Sequence, residues 1–87
     1  MPYHIIEYDF TPPITDEGLA QMSEKLAPCT GARGIRWLRT VVSQDRKRGW
    51  CELEAPDAET IREAYRSARV PFRSVWPAHL FEPSSQG

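Results

Sequence analysis

Two helical stripes, each lying between two strand-like segments, constrain the fold of this chain more than any other feature. Both stripes place residues at i, i+3, i+4 and i+7, the spacing of one buried face of an amphipathic helix. Their members are Leu19, Met22, Ser23 and Leu26 in the first stripe and Ile61, Ala64, Tyr65 and Ala68 in the second. Thr15 and Asp57 are suited to cap the two N-termini. Pro28 with Gly31, and later Pro71, are predicted to end the helices.

Four segments rich in β-branched and aromatic residues flank the helices and are predicted as strands. They span residues 3–10, 35–42, 50–55 and 74–81. In the resulting order, βαββαβ, two right-handed βαβ crossovers joined by a hairpin give a four-stranded antiparallel sheet with both helices on one face. The sequence therefore predicts an α+β ferredoxin-like plait. We expect a single domain over residues 1–83 and a flexible tail at 84–87.

The alternation of side chains along each strand separates a helix-covered face of the sheet from an uncovered one. Small apolar residues such as Leu38, Val42 and Leu53 are assigned to the helix-covered face. The uncovered face is predicted to carry Trp37, Arg39, Val41, Trp50, Glu52 and Glu54, with Glu7 from the first strand and His79 from the last, for which Trp76 is the alternative. Two tryptophans on such a face indicate a partner or a ligand. We therefore expect a homodimer, a dimeric α+β barrel whose sheets pack face to face around a cavity in each half.

The charge balance of the chain excludes several classes of partner. Its 87 residues carry a net charge of −1, with a pI near 6.1, so the chain has no overall attraction for nucleic acid. The predicted third strand is acidic at Glu52 and Glu54, where an RNA-binding plait needs basic and aromatic residues. No apolar run is long enough to span a membrane, and the N-terminus lacks the features of a secretory signal. We expect a cytoplasmic protein that binds neither nucleic acid nor membrane.

Carboxylates of the uncovered face are candidates for acid–base chemistry. The first and third strands are neighbours in this topology, so Glu7 is expected near Glu52 or Glu54. Carboxylates held close together repel one another, which raises one pKa towards neutrality. We predict proton transfer by Glu52 or Glu7 with His79 as partner, since histidine titrates near pH 7. Arg39 would stabilise an oxyanion or carboxylate of the substrate. An ordinary solvated strand face is the alternative interpretation.

Aromatic side chains would form the walls of the pocket. Trp37, Trp50 and Trp76, with Val41 and Glu54, are the predicted substrate-binding residues. These groups fit the isomerisation, cyclisation or dehydration of a small organic molecule. No nucleophile elbow, P-loop or dinucleotide fingerprint is present, and no cofactor is expected.

Two further hypotheses stay open. His4 and His79 are the only histidines, and they lie on the predicted first and last strands, which are neighbours in the plait. A metal site built on them with a carboxylate is the second hypothesis, although no histidine or cysteine spacing typical of a metal site supports it. The third is a dimerisation module without ligand or activity, in which the uncovered face is only the subunit interface.

Several segments of the chain resemble one family of small proteins. Residues 50–57 (WCELEAPD) followed by 61–63 (IRE) resemble small stand-alone ferredoxin-like proteins, largely catalogued as a domain of unknown function, that include nickel-responsive and nickel-binding actinobacterial members. Residues 5–10 (IIEYDF) resemble the first strand of that family, and residues 34–37 (GIRW) resemble its second. The resemblance implies a ferredoxin-like fold, a dimer and nickel as the metal.

Two positions depart from this family pattern. The family commonly has histidine two residues after the tryptophan of the second strand, where this chain has Arg39. It commonly has another histidine directly after the Arg-Glu of the second helix, where this chain has Ala64. An arginine stays protonated at neutral pH and cannot ligate a metal. We therefore expect an organic ligand, with nickel as the alternative.

Overall fold

The chain folds in the predicted element order over residues 2–83, the part that the computed structural model describes. The elements are β1 Tyr3–Asp9, α1 Asp16–Ala32, β2 Arg36–Val42, β3 Arg48–Glu54, α2 Ala58–Ala68 and β4 Ser74–Pro77. The strands form one antiparallel sheet in the order β2-β3-β1-β4, and both helices pack on one of its faces. The predicted ferredoxin-like plait is confirmed. The predicted tail at 84–87 lies outside the described residues.

Alternate side chains of β1 and β3 form the sheet side of the hydrophobic core. Ile6 lies opposite Cys51 and His4 lies opposite Leu53, so these four side chains share the face that the helices cover. The helices contribute the stripes predicted from their spacing, apart from Ser23, which is exposed. The most enclosed members of the core are Ile6, Tyr8, Leu26, Cys51, Leu53, Ala55, Ile61, Ala64 and Tyr65. Because burial of apolar surface is the main favourable term in folding, this core holds the sheet and both helices together.

Helix α1 continues past Pro28, so the prediction that Pro28 and Gly31 end this helix is wrong. A proline inside a helix removes one backbone hydrogen-bond donor. Pro28 lies on the exposed side of α1, whereas Met22, Leu26 and Thr30, spaced by four residues, are buried on the other side. Burial of this stripe keeps the last turn helical despite the missing hydrogen bond. Within residues 2–83, neither helix is long and apolar enough to cross a membrane.

A β-bulge in β2 reverses the face predicted for Trp37. The register of β2 against β3 shifts between Trp37 and Arg39, which makes Leu38 the additional residue. Trp37 therefore lies opposite Leu53 on the helix-covered face, and its indole N–H donates to the Thr40 hydroxyl at 2.9 Å. Leu38, predicted to lie under the helices, is 40% exposed. The prediction that Trp37 lies on the uncovered face is wrong, whereas the face predicted for Arg39, beyond the bulge, is confirmed.

Strand β4 ends at Pro77 rather than at Phe81, because a proline has no N–H to continue the ladder. Within this strand Trp76 lies opposite Ile5, which places its side chain on the uncovered face, where it is 41% exposed. His79 follows the end of the strand and is exposed. Its ring makes no hydrogen bond or ion pair with the described residues. Trp76, the alternative to His79, is therefore on the uncovered face, which β4 also supplies with Ser74.

A chain of side-chain hydrogen bonds crosses the core beneath the helices. The Thr40 hydroxyl, which accepts from Trp37, lies 3.1 Å from the Cys51 thiol. That thiol lies 3.3 Å from the Tyr8 hydroxyl, which is hydrogen-bonded in turn to the Tyr65 hydroxyl. Burial raises the pKa of the thiol and of both phenols, so all three stay protonated at neutral pH. Among residues 2–83, no buried side-chain nitrogen or oxygen lacks a hydrogen-bond partner.

Candidate functional site

The candidate site is the face of the sheet that the helices leave uncovered, and we call it the open face. Its side chains are Tyr3, Ile5, Glu7, Asp9, Arg36, Arg39, Val41, Arg48, Trp50, Glu52, Glu54, Ser74 and Trp76. The cross-strand register brings each of its glutamates beside an arginine. The closest atoms lie 3.6 Å apart for Arg36–Glu54, 2.6 Å for Arg39–Glu52 and 3.9 Å for Arg48–Glu7. The open face is therefore a set of paired charges with aromatic and aliphatic side chains between them.

The glutamates do not form the mutually repelling cluster expected from the sequence. Each has an arginine partner, and Glu7 also accepts a hydrogen bond from the Trp76 indole N–H at 3.3 Å. Glu52 is the most strongly held of them. Hydrogen bonds from Arg39 and then Tyr3 lower the pKa of the Glu52 carboxyl below its ordinary value of 4.5. The expected rise of a carboxylate pKa towards neutrality is therefore wrong for Glu52, because the hydrogen bonds from Arg39 and Tyr3 outweigh the effect of desolvation.

The side chains of Tyr3 and Arg39, from the two strands on either side of β3, both donate to Glu52. The Tyr3 hydroxyl donates to Glu52 Oε1 at 2.5 Å, and Arg39 Nε donates to Glu52 Oε2 at 2.6 Å. Partial burial and the neighbouring carboxylate raise the pKa of Tyr3 to about 12, so this phenol remains a hydrogen-bond donor at neutral pH. The Glu52 side chain is only 14% exposed, and its hydrogen bond with Tyr3 is partly buried, whereas the Arg39 side of the group is open to water. The Tyr3–Glu52–Arg39 trio has the shortest hydrogen bonds on the open face.

We expect the stability that Glu52 contributes to be lost in acid. Its pKa is lower in the folded chain than in the unfolded chain, so the contribution is complete above about pH 4.5, the ordinary value, and disappears as the pH falls through the lower folded pKa. Glu52→Gln should lower the free energy of unfolding at pH 7 by no more than about 1 kcal/mol and flatten its decline below pH 4.5. Urea unfolding measured at about five pH values between roughly 2 and 7 checks how the free energy of unfolding declines in acid.

The matched control for that variant is Glu63→Gln. Glu63 is exposed and makes no side-chain hydrogen bond or ion pair within residues 2–83. If its removal changed the acid slope as much as Glu52→Gln does, the trio would not be the source of the pH dependence.

The guanidinium of Arg39 is held in place through one of its nitrogens, and the other two have no hydrogen-bond partner in the described chain. Its Nε is committed to Glu52, which fixes the plane of the group. Its two terminal nitrogens donate to no atom of the described chain, and the side chain is 67% exposed. Val41, two residues along the same strand, is also exposed beside it. Arg39 therefore presents two free terminal NH2 groups next to apolar surface, an arrangement that suits an oxygen of a bound anion or carbonyl.

Trp50 lies on the open face as predicted, but it contacts a cation. The Arg48 guanidinium carbon lies 5.1 Å from the centre of the Trp50 ring, within the range of a cation–π interaction. Arg48 also approaches Glu7, so the side chain links an indole and a carboxylate.

The residues that would have to hold nickel do not come together. His4 is buried on the helix-covered face, with Nδ1 3.3 Å from the Pro2 carbonyl oxygen, and His79 is exposed beyond β4. Arg39 lies on the open face, whereas Ala64 lies in α2 on the other side of the sheet and is fully buried in the core. Among residues 2–83, no three histidine, cysteine or carboxylate side chains form a group able to hold a metal ion. The donor set of residues 2–83 does not fit nickel.

Sequence reasoning missed Tyr3 as a member of the site. Tyr3 has the same alternation as Ile5 and Glu7, so strand periodicity alone was sufficient to place it on the open face. Its partner was not predictable, because the contact with Glu52 depends on the diagonal between two strands that are distant in sequence.

Comparisons with known proteins place the chain in a family. A family model described as "Nickel responsive protein SCO4226-like" matches residues 4–77. Among solved structures, the crystal structure of SCO4226 from Streptomyces coelicolor A3(2) is similar, with a TM-score of 0.81 over 92% of this chain and 99% of that chain, at 14% sequence identity. That structural likeness supports the fold. No curated protein matches the chain. Because the family model covers nearly all of the two βαβ units, the chain belongs to the SCO4226-like family of nickel responsive proteins.

Proposed function

We propose that the protein binds a small organic molecule on the open face, through a carboxylate or carbonyl oxygen of the ligand. The observation that carries this proposal is the Arg39 guanidinium, whose Nε is fixed by Glu52 while its terminal nitrogens remain free. Two parallel N–H groups in one plane match the two oxygens of a carboxylate. Tyr3, Val41 and Trp50 supply polar and apolar surface around this point.

The proposal is limited to binding. A general base for neutral pH needs a pKa near 7, whereas the pKa of Glu52 is lowered and its two oxygens already accept hydrogen bonds. Arg48 and Trp76 likewise occupy the oxygens of Glu7. The two glutamates therefore hold cationic side chains in place. Isomerisation, cyclisation or dehydration at this face would first require these carboxylates to lose their partners.

The proposed functional unit is a homodimer in which two open faces meet. Val41, Trp76, Leu80 and Phe81 are large apolar residues that remain exposed in the single chain. An uncovered sheet face with apolar residues among paired charges is suited to a second copy related by a two-fold axis, since the apolar residues of each face would cover those of the other. Light scattering coupled to size exclusion is expected to give a dimer, and a monomer at all concentrations would contradict this unit.

We expect Arg39→Gln to weaken the binding of benzoate, used as a probe of the carboxylate site, by roughly ten-fold. The loss of the planar guanidinium removes a charge-assisted bidentate contact that glutamine cannot make. Isothermal titration with benzoate, and with neutral benzamide for comparison, measures the difference. Arg36→Gln is the matched control, because Arg36 lies on the same strand and its exposed side chain pairs only with Glu54 in the described chain.

Two outcomes of this titration decide against the proposal. Equal affinities for benzoate and benzamide would mean that Arg39 does not recognise a carboxylate. No binding of either probe, together with a shift of the dimer–monomer equilibrium in Arg39→Ala and Glu52→Gln, would instead support the third hypothesis, in which the open face is an interface only.

Nickel binding is the second candidate function, and the family description is the observation that favours it. Because the residues described here do not form a three-donor group, we expect nickel titration to give no stoichiometric site. Elemental analysis of the protein after equilibration with nickel and removal of excess metal measures this directly. One bound nickel per chain would contradict the organic-ligand proposal and favour the metal.

A further inference from the structure

A separate cleft lies where the end of β1, the first turns of α1 and the C-terminal end of α2 meet, and of its lining residues only Asp9 also belongs to the open face. Its volume is about 250 Å³. Four apolar side chains form its floor and two cationic side chains stand at its rim. We call it the basic cleft, and these six residues are Phe10, Ile14, Met22, Val70, Lys25 and Arg69. Met22 and Val70 are buried against the core, so the floor is part of the rigid interior of the protein.

Arg69 differs from the other arginines of the described chain. Each of the others makes a side-chain hydrogen bond or an ion pair, most often with a carboxylate. The guanidinium of Arg69 has no such partner in residues 2–83, and neither has the ammonium of Lys25. Asp9 also lines the cleft, but its carboxylate is engaged by Arg73 at 3.5 Å. The rim of the cleft therefore carries two unneutralised positive charges beside an apolar floor.

The backbone at Arg69 strengthens this observation. Arg69 ends α2 in the left-handed conformation, with φ 58° and ψ 40°. Glycine is favoured at this position of a helix terminus, since a side chain there introduces steric strain. The chain thus holds an unpaired guanidinium at a position where local structure alone would favour glycine. Strain of this kind, found at an observed outlier, points towards a role for the side chain.

We infer that the basic cleft binds a short aliphatic carboxylate. The carboxylate would contact Arg69 and Lys25, and the alkyl chain would cover Phe10, Ile14 and Val70. A dry cavity of about 150 Å³ holds a benzene molecule, so a cleft of about 250 Å³ is large enough for a chain of several carbons with its head group at the rim. Ligand pockets combine an apolar lining with a few convergent polar groups in just this way.

Hexanoate is the probe for this site, with neutral hexanamide as its isostere. Amide chemical shifts from two-dimensional nuclear magnetic resonance locate the binding, and titration gives the affinity. We expect saturable shifts at Met22, at Val70 and at Gly18, which also lines the cleft. The dissociation constant should be about 1 mM or tighter for hexanoate, with much weaker binding of hexanamide. Arg69→Gly should reduce the affinity for hexanoate by roughly ten-fold while leaving the melting temperature unchanged or higher, because glycine relieves the strained backbone.

Two other arginine variants separate this site from alternatives. Arg66→Gln removes the same charge three residues away, from a side chain that pairs with Glu59 at 2.8 Å, and should leave hexanoate affinity within about two-fold of the parent. Arg39→Gln should also leave it unchanged, since Arg39 belongs to the open face. The inference is overturned if Arg69→Gly binds hexanoate as well as the parent chain does, if Arg39→Gln abolishes the binding, or if no amide of the cleft shifts.

Discussion

Replacing Trp37 by alanine is expected to lower the free energy of unfolding by about 3 kcal/mol, the lower end for removal of a large aromatic side chain from a core. Trp37 packs against the core on the helix-covered face and donates to Thr40. Its loss removes apolar contact with the interior and leaves the Thr40 end of the hydrogen-bond chain without its donor. The β-bulge at Leu38 is the reason that this tryptophan supports the fold rather than the open face.

Trp76→Ala is the matched control, because it makes the same chemical change on the opposite face. Trp76 is 41% exposed in the single chain, so its removal should change the unfolding free energy of the monomer by less than about 1 kcal/mol. Urea unfolding followed by far-ultraviolet circular dichroism measures both variants. Since the open face is proposed to meet a second copy, any larger effect of Trp76→Ala should depend on protein concentration, whereas that of Trp37→Ala should not.

The reverse ranking would contradict the assigned faces. In that ranking, Trp76→Ala is the more destabilising variant at concentrations too low for a dimer. Trp37 would then have to lie outside the core, which would contradict the bulge assigned to β2 at Leu38.

Tyr8→Phe and Tyr65→Phe are each expected to lower the free energy of unfolding by about 2 kcal/mol. The two phenols are buried and hydrogen-bonded to each other, and Tyr8 also contacts the Cys51 thiol. Tyr8→Phe takes from the buried Tyr65 hydroxyl its phenol partner, and Tyr65→Phe leaves the Tyr8 hydroxyl with only the weak Cys51 thiol, so a poorly satisfied buried hydroxyl accounts for most of the loss.

The double variant tests whether the two phenols act as a pair. Removal of both hydroxyls leaves no unpaired phenol, so the double variant should lose less than the sum of the two single variants, by about 1 kcal/mol or more. Tyr3→Phe, on the open face, is the control for the Tyr→Phe change itself and should cost less than about 1 kcal/mol. Strict additivity of Tyr8→Phe and Tyr65→Phe would mean that the hydroxyls contribute independently.

Much of the fold was predictable because its signals are local. Thr15 and Asp57 cap α1 and α2 as expected, since a side-chain oxygen near a helix start satisfies a free backbone N–H. The apolar stripes likewise face the core, with Met22 and Leu26 buried in one helix and Ile61 and Tyr65 in the other. Turn chemistry and helical periodicity need only a few neighbouring residues to be read.

The parts that were not predictable depend on packing between distant segments. The alternation of β2 is regular in sequence, and only its pairing with β3 makes Leu38 an additional residue. The pKa of Glu52 depends on Arg39 and Tyr3, which reach it from two other strands. Arg39 and Glu52 were both assigned to the correct face. Only the register of β2 against β3 brings them into contact, and this contact decides that the pKa of Glu52 is lowered rather than raised.

The bulge at Leu38 also protects the protein from aggregation through the edges of its sheet. β2 and β4 are the two outer strands of the sheet, and an outer strand with a continuous row of free backbone groups invites pairing with another chain. The bulge interrupts that row on β2. On the other side, β4 is only four residues long and ends at Pro77, which has no N–H to offer. Both margins of the sheet are therefore unsuited to strand-by-strand growth into fibres.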